Sequence, residues 1–355
     1  MFTTQFYQDL ATTHQYDLIA ARHIDFAMPG VGRMDLQRRW LCHDGGDQFA
    51  THAAQEPQAC VIATGIGLSG PPHAGTLSQI ARAIFLQQAG YRVQFVLGDL
   101  DAYNGKNLDL ADVREIADRY RRFICALGFD QERGMLRDQF DALQVLRTMY
   151  LAGRHMSDQD FLEAEEDMHA FYAERGKADP KMTFRRKLSL ALMTADFLDL
   201  GRQGYHRVLV TLGVDEHRYV RFAKGVAART AAHLPDYRVD ISALYSPLIL
   251  GLNGYPKMSK SFPQSGIHLD MSANDIQRCI VEDADPAEDH SESPLVQMLQ
   301  AVSGITLPEL DQAIAARQRS ATEWQSWRER LADEITSMQR IWKGTTNVCR
   351  RQSGR

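Results

Sequence analysis

Two short stretches of the chain combine residue types that can bind and act on the phosphates of a nucleotide. The first runs from Ser69 to Thr76 (SGPPHAGT) after an apolar run, and the second runs from Lys257 to Ser261 (KMSKS). A histidine at the start of a helix can donate to a phosphate oxygen, because the first helical amides and the helix dipole favour anions there. Two ammonium groups on a mobile loop can close on a triphosphate and stabilise departing pyrophosphate.

Each stretch by itself leaves other interpretations open. The segment from Gly65 to Gly70 (GIGLSG) matches GxGxxG after a strand, which is a weak signal for a dinucleotide site. It also fits a tight turn without a ligand, and a lysine pair on a loop is usually solvated. An NAD site needs a ribose-binding acid about 20 residues further on, at a strand end. Asp99 lies about 30 residues beyond Gly70, and such an enzyme leaves the lysines unexplained.

The elements around the first stretch predict a βαβ unit. An apolar run over 60–64 predicts a buried strand, apolar residues at helical spacing over 77–86 predict a helix, and 93–99 predicts the next strand. Gly90 is placed to end the helix. We therefore expect an α/β fold, a Rossmann-like doubly wound parallel sheet that binds ligands at the carboxyl ends of its strands.

The rest of the chain predicts three parts. We expect an N-terminal extension with one or two short helices over 1–55 and a Rossmann-like catalytic domain over 56–270. A helical insertion is expected within that domain at about 112–187, and a strand followed by a helix over 208–232. A C-terminal helical domain is expected over 271–355.

Bulk composition bears on the class of protein. The formal net charge of −5 argues against a generally basic nucleic-acid surface. The first residues lack a basic patch followed by an apolar run, and no apolar segment approaches the roughly 20 residues that span a bilayer. The five cysteines are scattered without CxxC spacing, which predicts neither a zinc knuckle nor a disulfide framework. We expect a cytoplasmic protein without a membrane partner.

Four features together resemble the class I aminoacyl-tRNA synthetases, in the subclass of the tryptophanyl and tyrosyl enzymes. They follow the order of the family and lie within roughly residues 60–290. The features are SGxxHxG at 69–75, LMTAD at 192–196, GVDEH at 213–217 and the intact KMSKS string at 257–261. In its pocket residues the chain is most similar to the tryptophanyl branch.

The resemblance implies a role for each matching residue. His73 and Thr76 are expected to contact the ATP phosphates, and Lys257 and Lys260 to stabilise the departing pyrophosphate, which makes these four the catalytic set. The residues expected to bind ATP are Gly65, Gly67, Ser69, Gly75, Gly213, Asp215, Met258 and Ser259. The residues expected to bind the amino acid are Met193, Asp196 and Glu216. ATP and Mg²⁺ are the implied cofactors, and no metal site made of protein residues is expected.

Three departures from the family pattern bear on the chemistry. Thr76 stands where the signature has its second histidine, and Leu68 stands where it has a proline. Glu216 replaces the glutamine of the GxDQ segment, and its carboxylate can pair with an α-ammonium group. Thr76 and Glu216 favour a non-catalytic paralogue, whereas the intact lysine motif argues against one.

Other departures bear on the substrate. The tyrosyl branch uses a tyrosine and a YxxxQ pattern where this chain has Ala63, Ser189 and Met193, which disfavours tyrosine. In the tryptophanyl branch a methionine and an aspartate three residues later read the indole ring and its N–H, and here these are Met193 and Asp196. That branch usually has Tyr-Pro where Ser189 and Leu190 stand. Tryptophan is therefore favoured, and a different or modified amino acid stays open.

The leading hypothesis is ATP-dependent activation of an aromatic amino acid to an aminoacyl-adenylate, with transfer to tRNA. The alternatives are a paralogue that adenylates an amino acid for a non-tRNA acceptor, and a non-catalytic regulatory or binding paralogue. The family recognises tRNA through C-terminal helices, yet residues 263–355 carry 10 basic and 14 acidic residues, a net of −4. Binding of tRNA is therefore less strongly indicated than adenylation. A homodimer is implied by the resemblance alone.

Overall fold

A computed structural model describes residues 2–19, 26–165, 167–177, 181–282, 285, 287 and 289–345. Its centre is a seven-stranded sheet. The strands are β1 (Asp17–Leu18), β2 (Cys42–Asp44), β3 (Cys60–Gly67), β4 (Val93–Gly98), β5 (Gly134–Asp138), β6 (Arg207–Gly213) and β7 (Asp240–Ser246). Their order across the sheet is β1-β2-β7-β6-β3-β4-β5.

Helices make up most of the remaining described chain. They are α1 (Thr4–His14), α2 (Arg33–Arg39), α3 (Gly46–Gln55), α4 (Ala74–Gln88), α5 (Asp99–Lys106), α6 (Leu110–Ala126), α7 (Leu143–Ala152), α8 (Asp158–Glu163), α9 (His169–Glu174), α10 (Phe184–Arg202), α11 (His217–Ala231), α12 (Ala273–Val281), α13 (Pro294–Ala301), α14 (Leu307–Arg319) and α15 (Ala321–Gly344). None of the helices in the described ranges combines the length and apolar character that crossing a membrane requires.

Five neighbouring strands form the parallel centre of the sheet. Strand β3 pairs in parallel with β4 and β6, β4 pairs with β5, and β6 pairs with β7. Successive residues of β3 face opposite sides: Val61 and Ala63 join a core with α10 and α11, whereas Ile62 joins a core with α4 and α6. Helices therefore cover both faces, and the predicted α/β class with a doubly wound sheet is confirmed.

Two strands of this parallel centre are not predicted by the sequence pattern. Strand β5 lies in the region expected to be a helical insertion, and its buried and half-buried residues alternate. Strand β7 begins with an exposed residue, and only its last four residues are all buried. Neither segment shows the continuous apolar run of a fully buried strand. Pairing with neighbouring strands, which is not visible in a local pattern, decides their conformation.

The N-terminal segment is more ordered than the expected one or two helices. It contains α1, α2 and α3, and two short strands that extend the sheet. Strand β2 pairs antiparallel with β7, and β1 pairs antiparallel with β2. Strands of two or three residues carry too few positions to show a period of two, which explains why the sequence pattern does not predict them.

The C-terminal helices pack directly against the sheet-bearing part of the chain. Helix α13 contacts α2 and α4, and α15 contacts α6. The Arg38 guanidinium donates to the carbonyl oxygens of Gln300 at 2.9 Å and Ile305 at 2.6 Å. The indole of Trp342 is fully buried and donates to Asp270 at 2.7 Å. The expected domain boundaries stay a prediction.

Candidate active site

A cavity of about 470 Å³ lies at the carboxyl ends of β3 and β4. Residues 64–67 of β3 and Gly98 at the end of β4 line one side of it, and Ser189, Met193 and Asp196 of α10 line another. Because parallel strands end together at one edge and helices begin beyond them, backbone and side-chain groups of several elements can reach one ligand there.

His73 caps the N-terminus of α4. Its Nδ1 accepts from the amide N–H groups of Gly75 at 3.0 Å and Thr76 at 3.4 Å, so the ring proton of the neutral imidazole is on Nε2. Burial, followed by the charges of Lys260 and Lys257, lowers the pKa of His73 well below its ordinary value. The side chain is therefore a neutral imidazole that can donate a hydrogen bond from Nε2.

Gly75 and Thr76, in the first turn of α4, pack next to the capping residue His73. A Cβ at position 75 would lie 2.8 Å from Cε1 of His73, so a larger residue would displace the imidazole. Thr76 is buried, and its side chain lies close to the hydroxyl of Tyr120. That hydroxyl donates to the carbonyl oxygen of Gly70 at 2.9 Å. Contacts of Gly75 with adenine and of Thr76 with phosphate stay predictions.

The lysine motif meets the first stretch, although about 180 residues separate the two in the sequence. The ammonium group of Lys260 donates to the carbonyl oxygen of Gly67 at 2.7 Å and lies 5.3 Å from the centre of the Tyr120 ring. Beyond the motif, the amide of Leu269 donates to the carbonyl oxygen of Pro72 at 2.9 Å. The two motifs therefore share one edge of the sheet.

The other lysine of the motif forms an ion pair. Lys257 pairs with the carboxylate of Asp215, which lies in the turn after β6. A Cβ at Gly213 would lie 2.5 Å from Oδ1 of Asp215, so a glycine at this position leaves room for the carboxylate. The pair joins the GVDEH segment to the lysine motif.

The residues between the two lysines anchor the loop. The side chain of Met258 is buried, and a Cβ at Gly266 would lie 2.7 Å from its Cγ. The hydroxyl of Tyr172 donates to Oγ of Ser259 at 3.2 Å, and the amide of Ser259 donates to Oγ of Ser265 at 2.9 Å. The backbone of the motif is therefore held while its two ammonium groups point to other elements.

Helix α10 presents Ser189, Met193 and Asp196 to the cavity, at positions i, i+4 and i+7 of one helical face. The carboxylate of Asp196 accepts from the Arg137 guanidinium at 2.7 Å and from the Gln139 amide at 2.8 Å. Burial raises the pKa of Asp196, although the Arg137 charge and these hydrogen bonds act in the opposite direction. A carboxylate has further lone pairs, so Asp196 can still accept from a ligand N–H or O–H.

The remaining predicted residues lie around the same site. Glu216 lines the cavity from the turn after β6, and Gly65 and Gly67 line it from β3. A Cβ at Gly65 would lie 2.7 Å from the carbonyl oxygen of Val96, so this glycine allows β3 and β4 to approach closely. Ser69 is half-buried in the turn before α4 and does not line the cavity. The nucleotide contacts of these residues stay predictions.

Comparison with known protein families identifies the chain. The family described as tRNA synthetases class I (W and Y) matches residues 55–338, a span that includes all four features found in the sequence. The chain belongs to this family. The resemblance inferred from the motifs is thereby confirmed.

Individual members of the synthetase family are only moderately similar to the chain. Tryptophan–tRNA ligase 1 of Halobacterium salinarum is 27% identical over 198 residues, which cover 55% of this chain and 36% of that relative. Tyrosine–tRNA ligase of Methanopyrus kandleri is 30% identical over 219 residues, which cover 58% of this chain and 59% of that relative. The chain therefore matches less than two thirds of the length of these relatives.

Solved structures of the synthetase family share the fold of the chain. The tryptophanyl-tRNA synthetase from Aeropyrum pernix K1 superposes with a TM-score of 0.71 and 17% identity, covering 96% of both chains. The tyrosyl-tRNA synthetase from the same organism gives a TM-score of 0.67 and 18% identity, covering 88% of this chain and 92% of that one. Both branches are represented, so these likenesses show the fold and leave the substrate open.

Sequence reasoning missed several polar residues of this synthetase-family site. Asp101, Lys106, Gln139 and His169 line the cavity, and Arg137 holds Asp196. Asp101 and Lys106 lie on α5, which follows β4 directly, so the predicted strand end is a signal that points to this segment. Arg137 and Gln139 lie at the end of β5, which the pattern does not predict, and His169 lies in the expected insertion.

The described residues of this synthetase-family chain contain no group of three or more His, Cys, Asp or Glu side chains that could hold a metal ion. Mg²⁺ commonly binds through substrate phosphates and one or two carboxylates rather than in an all-protein cage. The Asp101 and Glu216 carboxylates at the cavity fit such a shared role. Binding of Mg²⁺ together with ATP stays a proposal.

Proposed function

We propose that the protein activates an aromatic amino acid with ATP, with tryptophan favoured, and transfers the aminoacyl group to tRNA in the cytoplasm. One observation carries the proposal: the ammonium group of Lys260 lies 2.7 Å from the carbonyl oxygen of Gly67, at the edge of a cavity that Asp196 lines. A cation suited to a leaving pyrophosphate thus lies beside a cavity suited to an amino acid. Membership of the synthetase family supports the same activity.

In the proposed reaction the amino-acid carboxylate attacks the α-phosphorus of ATP. A carboxylate oxygen–phosphorus bond forms, the bond from the α-phosphorus to the bridging oxygen breaks, and pyrophosphate leaves with that electron pair. Neutral His73 donates from Nε2 to a phosphate oxygen, and Lys257 and Lys260 stabilise the charge of the leaving group. Bound Mg²⁺ neutralises part of the triphosphate charge.

We infer two functional positions for the Lys257 side chain, of which the ion pair with Asp215 is the first. When the ammonium group moves to the triphosphate, the carboxylate of Asp215 is released and can accept from a ribose hydroxyl. One movement of the Lys257 side chain therefore makes both contacts, which couples pyrophosphate stabilisation to nucleotide binding.

We assign to Asp196 the recognition of the side chain of the amino-acid substrate. Arg137 already balances its charge, so the cavity presents an acceptor without a net negative charge at that point. A neutral aromatic side chain with one N–H, such as indole, fits this acceptor. A substrate with a cationic side chain gains less binding energy there, because Arg137 already neutralises the carboxylate of Asp196.

The test is amino-acid-dependent ATP–pyrophosphate exchange with each of the twenty standard amino acids. Exchange stimulated by L-tryptophan alone is the expected result. Stimulation by L-tyrosine instead would retain adenylation and overturn the substrate. An absence of exchange with all twenty, in the presence and absence of tRNA, would contradict the proposal.

Lys260 gives adenylation a distinct dependence on pH. Burial, followed by the nearby Lys106 charge, lowers the pKa of Lys260 to about 7. The ammonium form is then lost as pH rises through about 7, so kcat/KM for ATP is expected to fall about tenfold per pH unit above that value. Lys260→Arg keeps its charge throughout and is expected to remove this decline. Identical profiles for the two proteins between pH 6 and 9 would contradict the assignment.

Transfer to tRNA is the proposed second step. The acidic balance of residues 263–355, with 10 basic and 14 acidic residues, favours a second candidate in which the acceptor is not tRNA. Incubation with radiolabelled amino acid, ATP and total tRNA distinguishes the two. We expect acid-precipitable label on tRNA. Rapid ATP–pyrophosphate exchange without label on tRNA would favour an acceptor other than tRNA.

We further propose a homodimer. Among the described residues, ten large hydrophobic side chains are exposed, and eight of them lie between positions 103 and 184. Two of the most exposed, Leu143 and Tyr150, are seven residues apart on one face of α7. Exposed apolar residues of this kind suit an interface with a second copy of the chain, in which the same surface is used by both copies.

Replacing both Leu143 and Tyr150 by glutamate is expected to convert a dimer into a monomer in sedimentation velocity, because each buried charge disfavours the interface. Ile341→Glu on α15 is the matched control, since it changes an exposed hydrophobic residue outside this region. A wild-type monomer, or a double variant that remains dimeric, would contradict the assigned surface.

A further inference from the structure

Asp196 and its partners Arg137 and Gln139 form what we call the Asp196 cluster. Two further polar atoms belong to residues that line the cavity. Ser189 of α10 is 8% exposed, and its Oγ has no hydrogen-bond partner among the residues that the structure describes. The Nε2 atom of His169 is also buried and, within the described part of the chain, without a partner. Both residues line the same cavity. Buried polar atoms are normally paired, so these two are suited to a ligand.

The hydrogen bonding of His169 determines what its Nε2 can do. Its Nδ1 lies 3.1 Å from a carboxylate oxygen of Glu165, so the ring nitrogen facing that carboxylate carries a proton. The Glu165 carboxylate also pairs with Arg186, which fixes its position. In the neutral tautomer that keeps this proton on Nδ1, Nε2 carries the lone pair and can accept a hydrogen bond from a ligand.

The position of Ser189 separates this pair from the Asp196 cluster. The two positions are seven residues apart on α10, which corresponds to about two turns and about 10 Å along the helix axis. Close to Ser189, a Cβ at Gly105 would lie 3.2 Å from its Oγ and 3.2 Å from a carboxylate oxygen of Asp101. This end of the cavity therefore gathers hydrogen-bond acceptors.

We propose that His169 and Ser189 form a second polar subsite that accepts a hydrogen bond from a donor group of the amino acid. The inference rests on the proposed function and adds two specificity-determining residues to it. The donor is the α-ammonium group or an N–H or O–H substituent of the aromatic ring, since both present the same chemistry to Nε2 and Oγ. A ligand without that donor leaves both buried atoms unpaired and binds less tightly.

The test compares wild type, His169→Phe and Ser189→Ala by calorimetric titration with L-tryptophan, L-tyrosine and ATP. His169→Phe removes the acceptor and keeps an aromatic ring, and Ser189→Ala is a small change if the first variant folds poorly. His233→Phe, at an exposed histidine, is the control. About tenfold weaker binding of the amino acid is expected in each cavity variant, with ATP binding within about twofold of wild type.

Two further ligands identify the donor group. Indole-3-propionate lacks the α-ammonium group. If wild type and His169→Phe bind it with equal affinity, the subsite binds the α-ammonium group. 5-Hydroxy-L-tryptophan adds a hydrogen-bond donor to the ring. If wild type, but not His169→Phe, binds it more tightly than L-tryptophan, the subsite binds the ring substituent. Variants that bind every ligand as wild type does would overturn the subsite alone. Wild type that binds neither L-tryptophan nor L-tyrosine would overturn the proposed function and the subsite together.

Discussion

Lys260→Ala is expected to lower the rate of amino-acid-dependent ATP–pyrophosphate exchange by about 10²–10³-fold, the usual effect of removing one group that stabilises transition-state charge. The ammonium group is held 2.7 Å from the carbonyl oxygen of Gly67, and the Tyr120 ring lies beneath it, so it is in place before ATP binds. The loss should appear mainly in kcat, because the charge on pyrophosphate develops as the bond breaks.

Stability separates this effect from a folding defect. Lys260 donates one hydrogen bond to the fold, and removing its ammonium group also relieves the cost of burying that charge, so the free energy of unfolding should change by no more than about 1 kcal/mol. Lys343→Ala is the matched control, because that lysine also donates to a backbone carbonyl, of Met271 at 3.0 Å, but belongs to α15. Exchange at the wild-type rate in Lys260→Ala would sink the assigned role.

Asp196→Ala is expected to raise KM for the amino acid by about 10- to 100-fold, the range for losing a hydrogen bond to a charged group. KM for ATP should change little, because the nucleotide motifs lie on other elements. The same change breaks the ion pair with Arg137, so a loss of about 3–5 kcal/mol in the free energy of unfolding is also expected. Steady-state kinetics with each substrate varied in turn, together with urea unfolding, measure both effects.

A neighbouring aspartate provides the control for the structural part of this change. Asp199 is on the same helix and equally buried, and it pairs with Arg202 at 2.8 Å, but it does not line the cavity. Asp199→Ala should therefore destabilise the fold and leave both KM values near those of wild type. The pocket role of Asp196 is wrong if Asp199→Ala raises KM for the amino acid as much as Asp196→Ala does. It is also wrong if Asp196→Ala raises KM for ATP as much as KM for the amino acid.

Local sequence patterns were sufficient where one element carries its own signal. The βαβ unit over β3, α4 and β4 was predicted from an apolar run, helical spacing and a terminal glycine, and the structure confirms it. The same reasoning failed at β5 and β7, whose runs of buried residues are interrupted by half-buried or exposed positions. These strands are stabilised by neighbours that are distant in the sequence, and a window of a few residues contains no information about them.

The candidate site shows the same division. Short strings were enough to mark His73, Lys257 and Lys260, because nucleotide chemistry needs these residue types in a fixed local order. His169 has no such string around it, and its unpartnered Nε2 is apparent only because α9 lies against the cavity.

The sequence by itself determined the family, the fold class and the order of the motifs, because these depend on residue types at short spacing. The tertiary structure alone decided that Lys260 meets Gly67, that Lys257 pairs with Asp215 and that Arg137 balances Asp196. Each of these contacts joins residues that are between 42 and 193 positions apart. Strand order and helix packing bring them together, and the electrostatic character of the site follows from that arrangement.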